Sequence, residues 1–142
     1  MPGVVRTTLS FADLRRDGIG ATLRVSLSDT PESELITARE ILAVLGLRRG
    51  GVRIVSCPRC GRSGFDVHGF LAGAQSRLMA LPKDITIAVM GCVVNGPGEA
   101  RHADIGITGS GGRVILFKHG EILRTVNESE AADAFWEEIE KL

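Results

Sequence analysis

Two short segments decide how this chain is organised: residues 56–61 (SCPRCG) and residues 91–99 (GCVVNGPGE). They hold all three cysteines of the sequence: Cys57, Cys60 and Cys92. The Cys-x-x-Cys spacing lets two thiolates reach one metal from a single tight turn, and the second segment adds a third thiolate. Glu99 closes that second segment with a carboxylate. Because thiolates select iron–sulfur clusters, zinc or Cu(I), the pattern predicts a metal centre with three sulfur ligands, whose fourth ligand would be a carboxylate or would be absent.

A buried strand is predicted immediately before each cysteine segment. Residues 52–56 and 85–90 are short runs rich in β-branched side chains, and each leads directly into a cysteine loop. In open α/β sheets, ligands bind beyond the carboxyl ends of the strands. The glycines and prolines of both loops allow tight bends and a close approach of the backbone to a bulky inorganic core. The cysteines are therefore expected where an α/β sheet places its ligand site.

Composition limits the class of protein. A length of 142 residues with 44% hydrophobic residues suits about one domain with a packed core. Lys and Arg balance Asp and Glu at 17 each, which argues against a nucleic-acid partner. The longest apolar run, near residues 85–94, is too short to cross a bilayer. An odd number of cysteines and no recognisable signal peptide argue against a disulfide framework, so a cytoplasmic location is expected.

The first third of the chain predicts one βα unit. A short helix is expected at residues 11–16, and the alternating residues 22–27 predict a strand. A helix then starts at residues 29–32, with Asp29 or Thr30 as its cap and Pro31 in its first turn, and Gly46 ends it. The basic, glycine-rich residues 48–51 mark a domain boundary, which divides the chain into residues 1–47 and 48–142.

The remaining two thirds predict a mixed set of strands and helices. A helix at residues 71–81, a strand at 104–108 and a hairpin of 113–118 with 121–126 follow in order. Asn127 and Glu130 form a capping-box pattern before the last helix. The apolar face predicted for that helix consists of Ala132, Phe135, Trp136, Ile139 and Leu142.

Several motifs resemble those of the 4-hydroxy-3-methylbut-2-enyl diphosphate synthase family of the non-mevalonate isoprenoid pathway. They are the Cys-Pro-x-Cys pair and residues 17–27 (DGIGATLRVSL), 91–100 (GCVVNGPGEA) and 104–109 (DIGITG). The resemblance spans nearly the whole chain, and the run CVVNGPGE is highly specific. It implies an α/β fold: the last βα unit of a TIM-type barrel in residues 1–47, then a compact, mixed-sheet [4Fe-4S] cluster domain in residues 48–142. The family carries a large barrel before this domain, so the chain resembles only the end of such an enzyme.

The resemblance also implies site residues and a reaction. Cys57, Cys60, Cys92 and Glu99 match the ligands of the [4Fe-4S] cluster. Glu99 would be the exchangeable ligand of the iron that the substrate reaches, and Asn95 would face the substrate beside it. Arg24 and Ser26 would contact the diphosphate of the substrate. Flavodoxin or ferredoxin would deliver electrons for the opening and dehydroxylation of 2-C-methyl-D-erythritol 2,4-cyclodiphosphate to 4-hydroxy-3-methylbut-2-enyl diphosphate.

The same resemblance predicts an assembly. In the family, a cluster domain closes over the barrel of a partner subunit, as expected for a homodimer of the full-length enzyme. Most of the diphosphate contacts would lie in barrel strands outside residues 1–142. We therefore expect the 142-residue chain alone to be inactive, or nearly so.

The residues leave other interpretations open. Three buried cysteines without any partner, a zinc-stabilised interaction module without catalysis, and a pure electron carrier all fit the Cys-x-x-Cys spacing. His68 could complete a Cys3His zinc site, and Glu99 by itself is typical of a solvated carboxylate. Arg24 and Ser26, two residues apart, would also suit an exposed polar strand face.

Overall fold

The computed structural model describes residues 2–58, 60–94, 98 and 100–142. The elements, in chain order, are α1 (Pro2–Arg16), α2 (Pro31–Val44), β1 (Val52–Ser56), α3 (Val67–Ala80), β2 (Ile85–Val89), β3 (Ile105–Ser110), β4 (Arg113–Lys118), β5 (Glu121–Asn127), a 3-10 turn (Glu128–Glu130) and α4 (Ala131–Glu140). The contacts within the chain divide it into two units, Met1–Gly50 and Gly51–Leu142. None of these helices is long and apolar enough to cross a membrane.

The first unit is built from α1 and α2 around a small core. Phe11, Val25 and Ile41 are its buried side chains. The predicted start of α2 is confirmed, because the Ser33 N–H donates to the Thr30 hydroxyl at 3.3 Å. Gly46 follows the helix with a φ of +68°, a left-handed conformation that glycine adopts without strain. Assignment of this unit to the end of a barrel stays a prediction.

Two expectations for this unit were wrong. Residues 22–27 form no strand, because among the described residues none of the five strands pairs with them. Instead, the Leu27 N–H donates to a carboxylate oxygen of Glu34 at 2.8 Å. The first helix is also longer than predicted, spanning Pro2–Arg16 rather than residues 11–16. A proline in the first turn and the lack of glycine or proline over residues 4–17 explain that length.

The second unit is a five-stranded mixed sheet with the order β1-β2-β3-β4-β5, which confirms the predicted α/β class and mixed sheet. β1, β2 and β3 run parallel, whereas β4 and β5 are antiparallel to their neighbours. The predicted hairpin between β4 and β5 is confirmed. Both of its turn residues, His119 and Gly120, have positive φ values of 49° and 86°. Positive φ at both central positions suits the right-handed twist of a two-residue hairpin.

Helices α3 and α4 contribute to a single core on one face of the sheet. That core includes Leu78 of α3, Phe135 and Ile139 of α4, and the alternating residues Ile85, Ile87, Val89, Ile105 and Ile107 of the strands. The two helices also meet at their surfaces, where the Arg77 guanidinium lies 3.9 Å from the centroid of the Trp136 ring.

The predicted buried face of the last helix was wrong in part. Phe135 and Ile139 are buried and Trp136 is half-buried, but Ala132 and Leu142 are exposed, and Ala131 and Ala134 are buried instead. The helix ends at Glu140, so Leu142 lies beyond its last turn. The capping box of Asn127 and Glu130 is confirmed, and it leads into the 3-10 turn before α4 begins.

The opposite face of the sheet carries a second, smaller core. It consists of Cys57, Ala88, Met90, Ala100, Ala103 and Phe117. Ala100 and Ala103 belong to the connection between β2 and β3, so this connection crosses the face that the helices leave uncovered. Cys57 therefore lies within a packed layer. This layer is formed by residues of the strands and by the β2–β3 connection, the segment that also contains Cys92.

The surroundings of Gly106 show how tightly the second, smaller core is packed. Gly106 pairs with Phe117 across β3 and β4, and a methyl group on Gly106 would overlap the fully buried ring of Phe117. We expect Gly106→Ala to lower the free energy of unfolding by about 1–3 kcal/mol, because the ring has no free space to enter. Urea unfolding followed by circular dichroism measures the change.

Gly73→Ala is the matched control. Gly73 lies on the exposed side of α3, with no atom within 4 Å of the position its Cβ would take. Here alanine should raise the free energy of unfolding by roughly 0.5–1 kcal/mol, because it restricts the unfolded chain and favours helix. Equal stability of the Gly106→Ala variant and the unchanged chain would contradict the described packing.

Candidate metal centre

Parallel pairing of β1 with β2 brings the two cysteine segments to one edge of the sheet. Ser56 lies opposite Val89 in the ladder, and the Cys57 N–H extends that ladder by donating to the Val89 carbonyl at 3.1 Å. Cys92 follows three residues after β2 ends. Both segments therefore leave the carboxyl ends of adjacent parallel strands, which is the usual ligand position in such sheets.

Gly91 links the second cysteine segment to the first segment and to the loop that follows it. The Gly64 N–H donates to the Gly91 carbonyl at 2.7 Å, which ties the loop after Cys60 to the residue before Cys92. A Cβ on Gly91 would lie 3.6 Å from the sulfur of Cys57 and only 2.5 Å from the hydroxyl oxygen of Ser63. The backbone before Cys92 thus packs directly against the Cys57 thiol, and the absence of a side chain at position 91 allows that approach.

The three thiols lie in different environments. Cys57 and Cys92 are buried, with 6% and 4% of their surface exposed, whereas Cys60 is exposed; none forms a disulfide. The Arg62 backbone N–H, assisted by the Arg62 side chain, lowers the pKa of the Cys60 thiol from its ordinary value. A lowered thiol pKa favours the thiolate, which is the form that binds metals.

Chemically, these residues fit a sulfur-ligated centre. The two cysteine segments meet at one end of the sheet, two of the three reduced thiols are shielded from water, and thiolates hold iron–sulfur clusters and zinc. Within the described ranges, no three side chains of His, Cys, Asp or Glu already form a ligand group. The structure brings Cys57 and the Gly91–Cys92 backbone together, and it leaves the sulfur of Cys60 facing solvent.

The two remaining predicted residues of this centre, Asn95 and Glu99, lie outside the described residues. Ala100, which follows Glu99, is buried in the same small core as Cys57. The connection that starts near Cys92 therefore returns to the Cys57 side of the sheet.

The predicted substrate contacts lie in the first unit. Arg24 and Ser26 are both exposed on either side of the buried Val25, in the extended segment before α2. Alternate exposure is what an extended segment produces, although the segment is not a strand. Their assignment to the diphosphate stays a prediction.

Of the histidines, His68 is exposed at the start of α3, and His119 lies in the turn of the predicted hairpin.

The sequence analysis did not identify Ser63, whose hydroxyl donates to the Phe65 carbonyl at 3.1 Å and packs against Gly91. Its nearness to the Cys-x-x-Cys motif was the available signal. It also missed the buried hydroxyl of Thr108, for which the sequence carries no signal.

The close contact at Gly91 predicts that a larger side chain at this position would destabilise the chain. Gly91→Ala would bring a methyl group against the Ser63 hydroxyl, so we expect the free energy of unfolding to fall by about 1–3 kcal/mol. Because the obstructing atom ends a short side chain, Ser63→Ala in the same chain should restore part of the loss. Thermal unfolding of the metal-free chain measures both effects.

Gly61→Ala serves as the control within the same loop, since no atom lies within 4 Å of its Cβ position. Gly61→Ala should leave the midpoint of thermal unfolding nearly unchanged. If adding Ser63→Ala to the Gly91→Ala chain restored no stability, this would contradict the described contact between Gly91 and Ser63.

The chain is similar to one described family and to several named enzymes. The family described as the GcpE protein C-terminal domain matches residues 53–141. The 4-hydroxy-3-methylbut-2-en-1-yl diphosphate synthase (flavodoxin) of Treponema pallidum is 61% identical over 124 residues, which are 87% of this chain and 31% of the relative. The enzymes of the same name from Treponema denticola and Geobacter sulfurreducens are 54% and 47% identical, each over 99% of this chain. The alignments cover 38% and 40% of those two relatives.

The chain thus spans between 31% and 40% of the length of these three relatives. The name that these relatives share agrees with the resemblance based on the cysteine motifs and the CVVNGPGE run, so that resemblance is confirmed. Because the family match covers residues 53–141 of 142, this chain belongs to the GcpE protein C-terminal domain family.

Proposed function

We propose that this chain is the C-terminal part of a 4-hydroxy-3-methylbut-2-enyl diphosphate synthase. In that reaction 2-C-methyl-D-erythritol 2,4-cyclodiphosphate takes up two electrons and two protons, the ring C–O bond to phosphate opens, and one hydroxyl leaves as water. The observation that carries the proposal is the meeting of the two cysteine segments at the ends of β1 and β2. The name of the relatives supports the choice of reaction.

Cys57, Cys60 and Cys92 would hold a [4Fe-4S] cluster with Glu99 as the fourth ligand. When bound, the cluster supplies single electrons and an iron that accepts an oxygen of the substrate. Burial of Cys57 and Cys92 shields two of the ligand sulfurs from water. A carboxylate at position 99 binds iron less firmly than a thiolate, so it would give way to the substrate more readily.

Other residues of the chain would bind and orient the substrate. Asn95 would donate or accept hydrogen bonds beside the cluster, because its amide offers both functions. The guanidinium of Arg24 and the hydroxyl of Ser26 suit a diphosphate, and both are exposed in the first unit. These three assignments rest on the matched motifs.

Flavodoxin is the proposed electron donor, since it stands in the name of the relatives; ferredoxin would serve by the same chemistry. We further propose that the full-length enzyme is a cytoplasmic homodimer, in which this domain acts with the barrel of a partner subunit.

Metal analysis tests the centre directly. After anaerobic purification or reconstitution with iron and sulfide, the chain should carry about four irons and four sulfides and show the brown colour of a cluster. Single substitutions Cys57→Ser, Cys60→Ser and Cys92→Ser should each reduce the iron content strongly. Colorimetric iron and sulfide assays provide the measurement.

His68→Ala is the matched control, because His68 is exposed and is the histidine that a Cys3His zinc site would use. It should retain the full iron content. A colourless chain with one zinc per molecule, lost in the His68→Ala variant, would instead establish the zinc-stabilised interaction module.

We also propose that the 142-residue chain, even when loaded with its cluster, turns over no substrate, because most diphosphate contacts would come from parts present only in the longer relatives. With dithionite and a mediator as reductant, product formation should stay at background. A full-length relative assayed in parallel should be active. Sustained turnover by the short chain would refute this proposal.

A further inference from the structure

Thr108 is the buried polar residue that the structure leaves unexplained. It lies in β3 with 0% of its surface exposed. Its hydroxyl oxygen has no hydrogen-bond partner among the described residues. A buried hydroxyl without a partner is unfavourable in proteins, so such a group points to a partner that is not part of the polypeptide described.

Strand register places this hydroxyl on the face of the sheet that carries Cys57. Ile107 faces the core under the helices, so its neighbour Thr108 faces the other side. In the ladder Ser56 pairs with Val89, and Val89 with Ile107. The residues that follow these three are Cys57, Met90 and Thr108, which form one row across the sheet, just beyond the ends of β1 and β2 and within β3.

The second cysteine segment begins at the same row. The Met90 N–H donates to the Ile107 carbonyl at 2.8 Å, which fixes Met90 beside Thr108. Cys92 follows two residues later, at most ~7 Å further along the backbone. It is also buried, with 4% of its surface exposed. The connection that starts there packs Ala100 and Ala103 onto the same face of the sheet. Thr108 thus faces the side of the sheet that Cys57 and Ala100 cover, beside the strand that leads to Cys92.

We propose that the Thr108 hydroxyl donates a hydrogen bond to an anionic sulfur of the centre held by Cys57, Cys60 and Cys92. The inference rests on the proposed function, since it needs a sulfur-ligated centre in this layer. Thr108 binds no iron and is a positioning residue. Its hydrogen bond stabilises negative charge on sulfur, and the reduced cluster carries more of that charge, so the bond raises the reduction potential.

The experiment compares Thr108→Val, which keeps the shape and removes the hydroxyl, with Thr108→Ser, which keeps the hydroxyl. The midpoint potential of the loaded 142-residue chain is measured by mediated titration followed by electron paramagnetic resonance. Thr108→Val should shift the potential to more negative values, whereas Thr108→Ser should stay near the unchanged chain. Thr108→Ala provides a second variant without the hydroxyl and should shift in the same direction as Thr108→Val.

The metal-free chain supplies a readout that does not depend on the centre. Without iron, Thr108→Val should melt at the same temperature as the unchanged chain or above it, because it removes an unpartnered buried hydroxyl. A lower melting temperature would show that the hydroxyl bonds to the polypeptide, and would overturn the inference. Equal midpoint potentials in the unchanged chain and in the three Thr108 variants, each loaded with its cluster, would also overturn the inference.

The two proposals fail in distinguishable ways. If the unchanged chain binds no iron and sulfide, the proposed function fails and the role of Thr108 fails with it. If that chain binds its cluster and the potential is insensitive to the hydroxyl, only the role of Thr108 is refuted.

Discussion

The hydrogen bond from the Cys57 N–H to the Val89 carbonyl is the contact on which the arrangement of the site depends. It continues the parallel ladder of β1 and β2 one residue beyond β1 and holds the first cysteine beside the start of the second cysteine segment. Parallel strands end at the same edge of a sheet, so two segments with 29 residues between them in sequence (62–90) become neighbours. Without this pairing the Cys-x-x-Cys turn and Cys92 would have no fixed relation.

Close packing then shapes the space around the thiols. At Gly91 the backbone lies against the Cys57 sulfur, and at Gly106 it lies under the ring of Phe117. Both glycines matter because any Cβ would occupy space that a neighbour already fills. The helices cover one face of the sheet, and the β2–β3 connection covers part of the other. Cys57 therefore lies on the side that a loop rather than a helix covers, where ligands and substrates gain access more easily.

Sequence patterns predicted much of this arrangement. Strands β1 and β2, the β4–β5 hairpin and the start of α2 were evident because each carries a local signal: β-branched runs, a turn, or a capping residue followed by proline. The strand expected at residues 22–27 was wrong because a strand needs a neighbour, which no local pattern reveals. The buried face of α4 was partly wrong because Ala131 and Ala132 are equally apolar, and only the tertiary packing selects between them. Likewise, the cysteines of the centre were visible as a motif, whereas the nearness of Ser63 to Gly91 and the burial of Thr108 arise from long-range packing.

The central claim is that the sulfurs of Cys57, Cys60 and Cys92 and the carboxylate of Glu99 bind one inorganic centre. The most direct measurement is an anaerobic crystal structure of the iron-loaded chain, with anomalous diffraction recorded at the iron absorption edge. Our account predicts one compact iron site with the three sulfurs at roughly 2.3 Å from iron, a typical metal–thiolate distance, and the carboxylate bound to the remaining iron. A well-ordered chain with iron bound elsewhere, or with Cys92 or Glu99 far from the Cys-x-x-Cys turn, would contradict it.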